Sequence, residues 1–273
     1  MLYRNYPTIE YPFLDGKQKL AVDILKRFRI SDVAKRQIPY WEEYILQDED
    51  TPEVLANVLY DDANLSWLVL MVNSVINPNK DWMKSDNDFD DFITNKWSGK
   101  AIFLRESSLN HKEGNFEPGA FVYQKTSTGD VYKAEVIDWN RTLRRLIIDK
   151  HDVSSWSLTN ETLLNSNKRN IATITRVVDF AYDAVHQFED SDGEVLNTLD
   201  YIDSYAESDS LNAITIVTEK DYERRVNESK RSIVLVRPEF VSDLLYHIER
   251  EIAKIKALQT DTYITKDRVK RIY

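Results

Sequence analysis

The stretch DEDTPEVLANVLYDDANLSWLVLMVN, residues 48–73, decides how this chain folds, because it carries two helix signals in quick succession. Asp50 and Thr51 are N-cap residues, and Pro52 suits the first helical position, where its missing N–H costs no hydrogen bond. Val54, Leu55, Val58 and Leu59 form an apolar stripe, which predicts a helix from about Pro52 to Tyr60. Asp61, Asp62 and Asn64 break it. Leu65 to Val75 is then apolar nearly all round, as a buried second helix would be, so the pair reads as a buried helical hairpin.

Upstream, YWEEYILQ at 40–47 is aromatic and β-prone and predicts a strand. Residues 17–28 set Leu20, Val22, Ile24, Leu25 and Phe28 roughly on one side, with Lys26, Arg27 and Arg29 among them; a short amphipathic helix or a partly extended arm fits. Downstream, Asn77-Pro78-Asn79 is a turn, because the residue before proline is pushed away from the helical region. Ser85 with Asp88 forms a capping box for a third helix carrying Phe89, Phe92 and Ile93, with Gly99 marking its end.

From Ala101 to His186 the pattern changes to short β-prone runs: AIFL, AFVYQ, VYKAEVIDW, RLIID and IATITRVV. The separators Glu117-Pro118-Gly119, Ser127-Thr128-Gly129-Asp130 and Asn165-Ser166-Asn167 supply turn chemistry, which predicts a small antiparallel sheet or barrel of about five strands. Phe188 to Ser210 is acidic and rich in Ser and Asp, and reads as a connector with little core. A strand at Ala213–Val217, a helix capped by Thr218 and Asp221, and a strand at Ile233–Val236 follow. Pro238 then opens a long helix in which Val241, Leu244, Leu245, Ile248, Ile252 and Ile255 recur at spacings of three and four, a stripe that either the chain's own core or another subunit would cover.

Composition narrows the function. The 36 Lys and Arg against 46 Asp and Glu leave a formal charge of −10, a field that repels nucleic acid and anionic lipid. No cysteine is present, which removes disulfides, thiolate zinc sites and a cysteine nucleophile together. Met1–Glu10 lacks a basic and apolar leader, and the longest apolar run, Trp67–Val72, is far short of the roughly 20 residues that span a bilayer. Neither export nor membrane passage is expected.

Six glycines, at 16, 99, 114, 119, 129 and 193, cannot build G-x-G-x-x-G or a Walker loop. No serine sits in G-x-S-x-G, and His111, His151, His186 and His247 lie far apart with no metal-ligand spacing. Asp86, Asp88 and Asp90 alternate as in a calcium loop, but the following Gly is missing and Trp97 stands at position twelve, so a solvated helix start accounts for them. Arg141, Arg144 and Arg145 beside Trp139 could face nucleic acid, yet an exposed hairpin tip or an acidic neighbouring subunit explains them better. The sequence supports no enzyme, cofactor or metal site.

Residues 48–73 resemble the LysM pattern of a polar turn, a Thr-capped helix, a tyrosine, and a second helix ending in Asn. A longer series, Pro52, Glu53, Leu55, Ala56, Tyr60, Leu65, Trp67 and Asn73, then Pro78, Asp81, Trp82 and Ser85, resembles the gene-product-53 family of phage baseplate wedge proteins. Tyr6-Pro7, the segment Ile24–Arg29, and the run Tyr222–Arg231 continuing through Arg237–Phe240 resemble that family as well, so the likeness covers both ends of the chain and is weakest over 101–186. It implies a structural wedge subunit of a contractile tail, assembled in the host cytoplasm and carried in the virion. Its partners would be other wedge proteins and the sheath-initiating subunit, without nucleic acid or membrane. A LysM-type peptidoglycan-binding module is the alternative.

The expectation is therefore an α+β protein: an N-terminal arm and strand (1–46), a LysM-like helical module (47–100), an inserted small antiparallel β domain (101–187), an acidic connector (188–210) and a C-terminal strand and helix unit (211–273). Aromatic or charged side chains on the segments that carry the resemblance are the candidate contacts: Leu20, Ile24, Phe28, Trp41, Tyr44, Trp82, Arg224, Arg225 and Lys230.

Overall fold

The computed structural model describes residues 8–12, 18–23, 40–109, 116–125, 129, 131–149, 162–207 and 213–254. Helices and antiparallel sheets are both present, so the fold is α+β. The chain divides into two compact units, Met1–Met83 with Ser229–Tyr273, and Lys84–Glu228. Elements are numbered along the chain.

In the first unit, β1 (Thr8–Pro12) and β2 (Gln18–Val22) form an antiparallel hairpin. The extended form of the 17–28 segment is thus the one found over Gln18–Val22, while Ile24 and Phe28 lie outside the described residues. The strand β3 (Trp41–Ile45) leads into α1 (Pro52–Tyr60), where Thr51 Oγ1 accepts the Val54 N–H as the N-cap. Asp61 closes the helix in the left-handed region at φ 54°. The second helix is shorter than its apolar run: a 3₁₀ turn at Ala63–Leu65 feeds α2 (Ser66–Val72), and Ser74 at φ 58° turns the chain away before Val75. A single turn, α3 (Pro78–Asp81), follows Asn77.

The same unit resumes near the C-terminus with β12 (Ser232–Val236), which pairs antiparallel with β3. The 3₁₀ turn Pro238–Phe240 then opens α7, helical over residues 241–254. Val241, Leu244, Ile248 and Ile252 of that stripe are buried with Leu68 and Val236, so the core of this unit covers it. A second cluster joins Leu46, Leu55, Ala56, Val69, Trp82, Met83, Ile233 and Leu235, which packs α1 and α2 on the strand pair. Burying such side chains is worth roughly 1.5–3 kcal/mol each, and this secures a strand pair that would be marginal alone.

The second unit opens with α4 (Asp86–Lys96), capped as expected by Ser85 Oγ, which accepts the Asp88 N–H. Its centre is a closed antiparallel barrel of six strands, β4 (Lys100–Leu104), β5 (Phe121–Lys125), β6 (Val131–Asn140), β7 (Arg145–Ile148), β8 (Thr162–Leu164) and β9 (Asn170–Val178), in the order β4-β7-β6-β5-β8-β9. The sequence pattern anticipates five of these. The sixth, β8, has only three residues, too few for a period-2 signal.

Alternation explains why β4 and β7 read as continuous apolar runs. Ile102, Leu104, Leu146 and Ile148 fill the barrel, while Ala101, Phe103 and Ile147 point outward into a second core with Val185, Phe188, Ile202 and Tyr205. That outer layer comes from β10 (Val185–Glu189), α5 (Thr198–Glu207) and β11 (Thr215–Thr218), ahead of α6 (Glu219–Ser229). The acidic 188–210 segment is therefore more than a connector: Phe188, Ile202 and Tyr205 are all at most 2% exposed. Its charges occupy the opposite side of a short amphipathic helix, which masks the apolar face in a composition count.

Gly99 sets the start of the barrel. It sits at φ 104°, and a Cβ there would lie 2.2 Å from the Ile148 carbonyl oxygen. Gly99→Ala is expected to destabilise the protein by about 3 kcal/mol, combining backbone strain with a clash against a strand that cannot yield. Urea denaturation followed by far-ultraviolet circular dichroism checks this.

Candidate protein-interaction site

The side chains around β3 are organised by Asp50. Its carboxylate accepts the Tyr44 hydroxyl at 2.9 Å and the Gln47 N–H at 2.7 Å, and its carbonyl accepts Trp82 Nε1–H at 2.9 Å. Trp82, one of the candidate contacts, is accordingly 8% exposed and part of the core. The hydrogen bond to Asp50 raises the Tyr44 hydroxyl above its ordinary pKa, with burial and the carboxylate charge acting in the same direction. Trp41 is partly buried against the α7 cluster, whereas Leu20, on the β1–β2 hairpin, is 72% exposed.

Two residues that the sequence reading cited only for resemblance have a definite physical task. Asn73 accepts the Val234 N–H and donates to the Val234 carbonyl, both at 2.8 Å. Tyr60 does the same for Val236 through its one hydroxyl, at 3.2 and 2.9 Å. These side chains stand where a third strand would, and they satisfy the outer edge of β12. Burial raises the Tyr60 hydroxyl pKa, against the lowering effect of its bond to Val236, which keeps the proton needed for that donation. An amide or phenol ending a helix was the only signal available in sequence.

In the second unit, Arg145 points out of the barrel from β7. Its Nη1 donates to Glu219 Oε1 at 2.5 Å and to the Val185 carbonyl at 2.9 Å, and both charged side chains are only 2% exposed. Glu219 Oε2 meets His186 Nδ1 at 2.9 Å, and the His186 ring stacks on Tyr222 at 3.9 Å between centroids. Arg144 is 5% exposed and pairs with Asp203 at 2.7 Å and Glu106 at 3.7 Å. The expectation that Arg144 and Arg145 form an exposed tip is thus corrected: both side chains are buried, Arg145 against the buried Glu219 and Arg144 beneath the exposed acids Asp203 and Glu106, all recruited from distant segments. Arg141 remains exposed, at the rim of an open pocket of about 400 Å³ lined by Glu106, Leu109, Arg144, Leu199 and Asp203. Two acids balance its two arginines.

The remaining candidates fall on both units. Arg224 is exposed, with its guanidinium 5.7 Å from the Phe89 ring centre, and Arg225 bonds Glu189 at 2.6 Å. Lys230, in the first unit, donates to the Lys80 carbonyl at 2.7 Å. Asp86 and Asp88 occupy the first turn of α4, and Asp90 pairs with Lys220 at 3.0 Å. Among the described residues, no group of three or more His, Asp and Glu could hold a metal ion. His111 and His151 lie outside those residues.

Arg145→Met is expected to cost about 3–5 kcal/mol, because Glu219 would be left buried without its counter-ion, and Arg145→Met with Glu219→Leu should recover most of the loss. Urea melts of the three proteins check it. The Arg225 hydrogen bond, helped by Gln187 and outweighing burial, holds the Glu189 carboxyl below its ordinary pKa. This pair therefore stabilises the folded state at neutral pH, and the contribution is lost as pH falls through the lowered value. Glu189→Gln should flatten the acid limb of a plot of melting temperature against pH.

Residues 1–111 match the family model described as base plate wedge protein 53. The match takes in the hairpin, β3, α1 to α4 and β4, and stops inside the barrel unit. No curated protein sequence matches the chain. Over residues 1–111, the chain is thus similar to the base plate wedge protein 53 family.

Proposed function

We propose that this protein is a structural wedge subunit of a contractile phage tail, which joins neighbouring wedges around the hub through protein–protein contacts and catalyses no reaction. The family match over residues 1–111 carries the reading. Its finer content, contact with other wedge proteins and with the sheath-initiating subunit after assembly in the host cytoplasm, is supported by exposed apolar side chains on the matched segment. Leu20, Ile45, Val58 and Ile76 are each more than 60% exposed. Isolated cases are ordinary on any surface, but this many within one segment is what an assembly subunit presents before it meets its partners. Trp41, Tyr44, Arg224, Arg225 and Lys230 remain proposed contributors, and Trp82 would act by positioning Asp50 and the β3 loop.

A second reading has its own observation. The order β3-α1-α2-β12, with the two strands paired antiparallel and both helices packed with them, supports a LysM-like module, interrupted by the barrel unit. Such a module would bind peptidoglycan fragments.

Co-expression of the tagged chain with the neighbouring tail genes, followed by size-exclusion chromatography, is expected to give co-elution in fixed ratio with other wedge proteins. Elution alone, together with binding to purified peptidoglycan fragments, would overturn the assembly role in favour of the glycan-binding one.

A further inference from the structure

We propose that the outer edge of β3 is a docking edge for an extended basic strand of another baseplate protein, which adds beside β3 as a third strand. This rests on the assembly role proposed above and names the mode of contact.

The two outer edges of the β3–β12 sheet are treated differently. Along β12, Asn73 and Tyr60 occupy the edge at Val234 and Val236. Along β3, the bonds Leu46 N–H to Arg231 O and Arg237 N–H to Tyr40 O fix the even-numbered residues as those that face β12. The backbone groups of Trp41, Glu43 and Ile45 therefore face outward. Gln47 Nε2 donates to the Ile45 carbonyl at 3.1 Å, which terminates the edge at that end. Glu43 is exposed, and its N–H and C=O have no hydrogen-bond partner among the described residues. An unpaired N–H and C=O on a two-stranded sheet is a template for strand addition.

Side chains set the class of occupant. Glu42 and Glu43 are both exposed and lie on opposite faces of β3, so the edge is negative from either side. Ile45 shares the Glu43 face and is 63% exposed. A strand with Lys or Arg opposite Glu43 and a β-branched residue opposite Ile45 completes both cross-strand pairs. The same acids repel the β3 edge of a second copy, which makes a different protein the occupant.

The test uses the full-length protein, labelled for amide resonances, with a nine-residue synthetic peptide alternating lysine with valine and a control alternating glutamate with valine. With the lysine peptide, the Glu43 and Ile45 amides should shift and gain exchange protection, while those of Glu42 and Tyr44, already turned to β12, should not. Glu43→Pro should weaken binding by about tenfold or more, since it removes the donor and places a ring on the edge, yet leave the melting temperature unchanged because that N–H takes no part in the β12 ladder. Should the proline variant fail to fold, Glu43→Lys serves instead and should prefer the glutamate peptide. Lack of binding, equal binding of the two peptides, protection elsewhere than at Glu43 and Ile45, or a dimer of the protein abolished by Glu43→Pro would each overturn strand docking. None of these needs a wedge partner, so such a failure would leave co-elution with wedge proteins intact. Strand docking without co-elution would overturn the assembly role alone.

Discussion

The ladder between Trp41–Ile45 and Ser232–Val236 joins two strands from opposite ends of the chain, and the first unit cannot exist without it. Both apolar clusters of that unit contain residues from each side of the gap: Leu68 with Val236 and Ile248 in one, Leu55 and Trp82 with Ile233 and Leu235 in the other. Closing so long a loop carries an entropic cost that local contacts cannot offset early in folding. The second unit reduces that cost by folding. At its ends, Lys84 N–H donates to Asn227 Oδ1 and Asn227 Nδ2 donates back to the Lys84 carbonyl, both at 2.9 Å. The amide brings the two boundaries of the insertion within a hydrogen bond of one another, so the loop that β3 and β12 must close becomes effectively short.

The second unit has its own logic. A closed barrel has no free edge, and the exposed edge problem is thereby confined to the small sheets. The outward faces of β4 and β7 are apolar because β10, α5 and the adjoining residues cover them. Arg145 and Glu219 lie in that covered layer, where a buried ion pair adds little net stability but penalises any arrangement that separates its members. It fixes α6 to the barrel in one register.

Much of the local structure was legible because it rests on nearest neighbours. Thr51-Pro52, Ser85 with Asp88, and Thr218 with Asp221 each cap a helix as the spacing implies. The family likeness was legible too, through residues within 52–85 that fall inside the matched segment. What could not be read depends on partners far away in sequence. Arg145 looked like one arginine of an exposed cluster until Glu219 supplied its counter-ion, and Asn73 and Tyr60 were only residues at helix ends until β12 arrived beside them. The helix at Thr198–Glu207 was hidden by its own acidity. Pairing of β3 with β12 across a folded insertion has no local signature.

The reciprocal amide between Asn227 and Lys84 also bears on how such a chain can change over evolutionary time. An insertion whose entry and exit points are tied to each other returns the chain close to where it left, whatever lies between them. A change in the length of residues 84–228 that kept this end spacing would leave β3 and β12 free to pair as they do here.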